Sequence, residues 1–72
     1  MERFPTVSYL FTNGMVMTVD QNGEQMSEFN GQYGEVVNKI LDATGGETNW
    51  VLAQWMPGGD IHQLALFEPI RV

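Results

Sequence analysis

The segment Tyr33-Gly34-Glu35-Val36-Val37-Asn38-Lys39-Ile40-Leu41-Asp42-Ala43-Thr44-Gly45-Gly46 decides the fold. Tyr33, Val36, Val37, Ile40, Leu41 and Thr44 recur at the three-and-four spacing that lines one side of an α-helix. Glu35, Asn38, Lys39 and Asp42 fall off that stripe and belong to water. Asn30 is placed to cap the helix N-terminus, and Glu35 is an early anion that the helix dipole favours. Gly45-Gly46 supplies a left-handed stop. The pattern predicts one helix over residues 32–44, with Val36, Val37, Ile40 and Leu41 buried.

Working outward, both flanks read as hairpins. On the N-terminal side, Thr6–Thr12 and Met15–Val19 are rich in β-branched and aromatic residues, and Asn13-Gly14 between them is a strong hairpin signal. A two-residue loop there pairs Phe11 with Val16 and Tyr9 with Thr18. Asp20-Gln21-Asn22-Gly23 reads as a second turn, and Glu24–Phe29 as a short, polar third strand at an edge. On the C-terminal side, Asn49–Met56 and Ile61–Glu68 flank Pro57-Gly58-Gly59-Asp60, a four-residue loop that pairs Trp55 with His62 and Val51 with Leu66. The expected fold is α+β. One domain spans residues 1–72, with four to five strands in a small antiparallel-rich sheet and one helix on one face. The element order is two strands, an optional short strand, helix, two strands.

One helix covers one sheet face, yet both faces of both hairpins read as largely apolar. Tyr9, Phe11, Trp50, Trp55 and Phe67 are aromatics of the kind that concentrate in interface cores. Contiguous exposed apolar surface marks an interaction site. These five residues are therefore the expected partner-binding candidates, toward a homodimer or another protein.

Charge and composition remove several other functions. The 72 residues carry three basic and nine acidic side chains, a net charge of −6. Phosphate backbones and anionic membrane surfaces are bound through clustered Lys and Arg. Arg3, Lys39 and Arg71 form no cluster, so neither nucleic acid nor membrane is an expected partner. There is no cysteine, and the Met1-Glu2-Arg3-Phe4-Pro5 start lacks a basic, then apolar, leader pattern. Both fit a cytoplasmic protein.

No chemistry-bearing motif emerges. His62 is the only histidine, and Ser8 and Ser27 are the only serines, with no nucleophile motif around either. Asp20-x-Asn22-Gly23-Glu24 opens like a calcium loop, but Gly falls at the fourth position and Gly31 stands at the twelfth, so a turn is expected. No catalytic, cofactor-binding or metal-ligating residue is assigned. The leading expectation is a non-enzymatic protein-interaction module, or small accessory protein, that acts through an apolar sheet face and self-associates. One alternative is an acidic inhibitor occupying a basic nucleic-acid-binding site on an enzyme. Another is a small ligand-binding or catalytic protein with its site at a dimer seam, marked by an apolar pocket that contains His62.

Overall fold

The computed structural model describes residues 2–72. Its elements are β1 (Pro5–Phe11), β2 (Met15–Asp20), a 3-10 turn (Ser27–Phe29), β3 (Gly31–Gln32), α1 (Tyr33–Thr44), β4 (Asn49–Trp55) and β5 (Ile61–Leu66). The five strands form one sheet in the order β3-β2-β1-β4-β5. The fold is α+β, as the sequence predicts, but the sheet is mixed: β1 and β4 run parallel at its centre, and every other pairing is antiparallel. Parallel neighbours need a crossover of a dozen or more residues, and α1 with its flanking links provides it.

The helix follows its apolar stripe. Val36, Val37 and Ile40 are buried, and Leu41 is partly so. They pack on Val16 and Trp50 in one cluster, which Leu10, Phe29, Tyr33 and Phe67 extend. Gly45 ends the helix at φ 64°, in the left-handed region. Asn30 does not cap it. Gln32 is the N-cap, with no side-chain bond, and the Asn30 amide is engaged elsewhere. Its Oδ1 accepts from Thr18 N at 2.8 Å and its Nδ2 donates to Gln25 Oε1 at 3.1 Å. That brace occupies the outer side of β2 where the short third strand over Glu24–Phe29 was expected. Instead of a strand over Glu24–Phe29 there are a single bridge from Gln25 to Val19, the 3-10 turn and the two-residue β3.

Both hairpin loops differ from expectation by one residue. In the first, Gly14 N donates to Phe11 O at 2.9 Å and Gly14 sits at φ 87°. Thr12-Asn13-Gly14 is thus a three-residue loop ending in a left-handed glycine, the other common setting for Asn-Gly. The observed pairs are Ser8 with Thr18, Tyr9 with Met17 and Leu10 with Val16. A one-residue slip exchanges the faces of a strand, so Val16 and Thr18 join the helix side while Met15, Met17 and Val19 join Tyr9 and Phe11. In the second hairpin, Gly59 N donates to Met56 O and Met56 N to Asp60 O, again leaving three loop residues. Trp55 pairs with Ile61 and Ala53 with Gln63. A bulge at Leu64 then absorbs the extra residue, and the expected pairs Leu52 with Ala65 and Val51 with Leu66 are recovered.

The stretch that resembles a calcium loop is held as a turn. Asp20 Oδ1 accepts from Asn22 N at 2.8 Å and Glu24 N at 3.0 Å, and Oδ2 accepts from Arg3 Nε at 2.7 Å. The Asp20 side chain is fully buried. Its hydrogen bond to Arg3 holds the carboxyl below the ordinary carboxylate range. Burial opposes that shift, and the Glu24 and Asn22 amides reinforce it. A carboxyl whose folded pKa is depressed adds stability above its unfolded pKa, about 3.9, and loses it as pH falls. Melting temperature should therefore fall below about pH 4, and more steeply in the wild type than in Asp20→Asn. Superimposable melting-versus-pH curves for the two proteins would contradict this role.

Candidate functional site

Alternation along the strands builds the face that α1 leaves open. Val7, Tyr9 and Phe11 come from β1, Met15, Met17 and Val19 from β2, and Val51, Ala53 and Trp55 from β4. Ile61 and Leu66 come from β5, where they pair with Trp55 and Val51. Asn49 and Gln63 are the polar members. Asp20 is the only charged residue in any strand, and it is spent on Arg3. The open face thus carries no free charge on a chain of net charge −6.

An aromatic file crosses its centre. Tyr9 and Phe11 are stacked at 6.4 Å, and Phe11 and Trp55 at 4.8 Å with their planes 11° apart. The last pair is a close, near-parallel stack. It leaves Phe11 buried beneath a Trp55 that is itself 50% exposed. Leu66 is 76% exposed. Val51 and Ala53 are buried, and among the described residues the one α-helix packs against the other side of the sheet, with Val16 and Trp50.

The sequence candidates therefore divide. Tyr9, Phe11 and Trp55 meet on the open face. Trp50 does not, being 2% exposed on the helix side. It packs edge-on to Tyr33 and Phe67, both at 5.9 Å. Phe67 is partly buried in the same cluster. A core tryptophan cannot anchor a partner, and the parity of β4 explains its place: Trp50 and Trp55 are five residues apart and so point to opposite faces. Met15, Met17 and Val19 belong to the open face, and the expected two-residue loop had placed them apart from Tyr9 and Phe11.

The opposite layer is closed by the C-terminal tail. Ile70 N donates to Tyr33 OH at 3.0 Å, Asn38 exchanges two bonds with Val72, and Arg71 pairs with Asp42 at 2.8 Å.

Groups with catalytic potential are dispersed. Ser8 is fully buried and its hydroxyl lies 2.9 Å from that of Thr18. Thr18 in turn donates to Phe29 O at 3.1 Å, so the Ser8 proton goes to Thr18. This polar chain stitches β1 to β2 beneath the helix. Ser27 lies in the 3-10 turn and His62 is exposed on β5. Among the described residues, no three His, Asp or Glu side chains converge as a metal site. An apolar groove of about 470 Å³ opens where β1 and β4 end, walled by Leu10, Leu52, Leu64 and Tyr33; His62 is not part of its wall. Among the described residues, no helix is long and apolar enough to cross a membrane. No family model matches the chain, and no curated protein or solved structure was found to be similar to it.

Proposed function

We propose that this chain is a non-enzymatic protein-interaction module, acting in the cytoplasm through the open sheet face. The observation that carries the reading is the contrast between that face and the rest of the surface. Tyr9, Phe11, Met17, Trp55 and Leu66 stand together without a charge among them, while the acidic side chains lie on the arm, turns, helix and loops. Contiguous apolar surface of this kind marks a contact site, and aromatic and Met side chains are enriched in such contacts.

The acidic-inhibitor reading has one observation in its favour. Arg3 and Arg71 are each paired within the chain, and Lys39 donates to the Glu28 carbonyl. With nine acidic against three basic side chains, the surface charge is predominantly negative. Binding to a basic groove would weaken steeply with added salt, whereas apolar docking would not.

Site-specific photocrosslinking in cells separates a contact face from ordinary surface. A benzophenone side chain in place of Leu66 should give a protein adduct. The same group in place of Ile70, which is 77% exposed and lies on the tail along α1, should not. Adducts from both positions alike, or from neither, would sink the proposal.

A further inference from the structure

Resting on the interaction reading, we infer that the protein covering the open face is a second copy of this chain, stacked sheet to sheet about a two-fold axis. Two features select this occupant. The first is charge. At −6 per chain, two copies repel wherever their carboxylates approach one another. The open face is the broad surface that bears none, and stacking leaves Glu28 and Glu35 on the far side, outside the contact. A two-fold contact must also be self-complementary, and an uncharged apolar strip meets that condition without any matched partner charges.

The second feature is area. Four full strands spaced about 4.8 Å apart, each of six or seven residues rising about 3.3 Å per residue, give a footprint of roughly 400 Å². Two such faces, with the relief of Trp55 and Leu66 added, reach about 1,000 Å² in total, the lower bound for a specific interface. Sheets stack face to face about 10 Å apart, a spacing that side chains of this size fill. A contact at that lower bound falls among weak, transient associations rather than obligate ones. Because the outer surfaces remain acidic, added salt should tighten the dimer rather than loosen it.

Sedimentation equilibrium over a wide concentration range tests the inference. The wild type should pass from 8.1 kDa to twice that mass as concentration rises. Leu66→Glu places a charge on the face at an exposed position, so it should fold normally by circular dichroism and weaken the dimer at least tenfold. Ile70→Glu makes the same charge change at a position of equal exposure off the face, and should dimerise like the wild type. A wild type that stays monomeric throughout, or a Leu66→Glu variant that dimerises equally well, would overturn the second-copy assignment. Should the wild type be monomeric while position 66 still crosslinks in cells to a protein of another mass, only the second copy falls. A monomer with no adduct from position 66 takes the interaction reading down as well.

Discussion

Replacing Trp50 with alanine should remove about 3–5 kcal/mol of folding stability. The indole is 2% exposed and touches both edges of the core, with Tyr33 on the helix and Phe67 beyond β5 standing edge-on to it. Truncation leaves a cavity that neither ring can fill without leaving its own place. A 72-residue chain has about 4–11 kcal/mol of stability in total, so the variant should be close to unfolded at room temperature. Trp50→Phe should be far milder. Trp50 Nε1 is buried with no hydrogen-bond partner among the described residues, and removing an unpaired buried donor recovers part of its desolvation cost. Urea denaturation checks both variants. If Trp50→Phe proved as damaging as Trp50→Ala, the indole N–H would have an essential partner and this packing would be wrong.

Ile40→Asp should abolish folding. Ile40 is completely buried between α1 and the sheet, in the cluster with Val16, Val37 and Trp50. An unpaired carboxylate there either loses its hydration or forces the helix off the sheet. The gentler Ile40→Ala should cost about 2–5 kcal/mol and keep the native circular dichroism spectrum at low temperature. A cooperative melt of Ile40→Asp at the wild-type temperature would contradict the placement of α1. Surface position 70 provides the reference, since Ile70→Asp at 77% exposure should change stability little.

The helix could be read from sequence because its signal is local. Val36, Val37, Ile40 and Leu41 repeat at one period, and Gly45 marks the end. The two hairpins were also legible, since Asn13-Gly14 and Gly58-Gly59 both lie in tight turns. The register was not. Asn-Gly serves a two-residue loop and the last two positions of a three-residue loop equally well. The choice rests on whether Phe11 O accepts from Gly14 N, and the dipeptide does not encode that. One residue of slip then moved Val16 and Thr18 to the helix side and Met17 to the open side. The central parallel pair was also hidden. Pairing of β1 with β4 depends on where α1 carries the chain across the sheet, a long-range outcome without a local signature. Asn30 had the chemistry of a cap, but β2 needed its amide more.

The candidate face was half legible. Tyr9, Phe11 and Trp55 stand out by residue type, and type suffices for side chains that prefer interfaces. Trp50 and Phe67 share that type and lie in the core, because strand parity and the bulge at Leu64 decide which way they point. The expectation that one helix cannot cover both faces of the sheet rested on counting layers, and the uncovered face is apolar although its members are partly different.

The two tryptophans give the most direct measurement. Trp55 is half exposed on the open face and Trp50 is buried on the helix side, so one nitrogen–proton correlation spectrum reports on both surfaces through two indole signals. In a dilution series from high to low concentration, the Trp55 indole signal should move progressively while the Trp50 signal stays in place. A Trp50 signal that moves while Trp55 stays still, or two signals that never move, would contradict the open sheet face as the contact surface between copies.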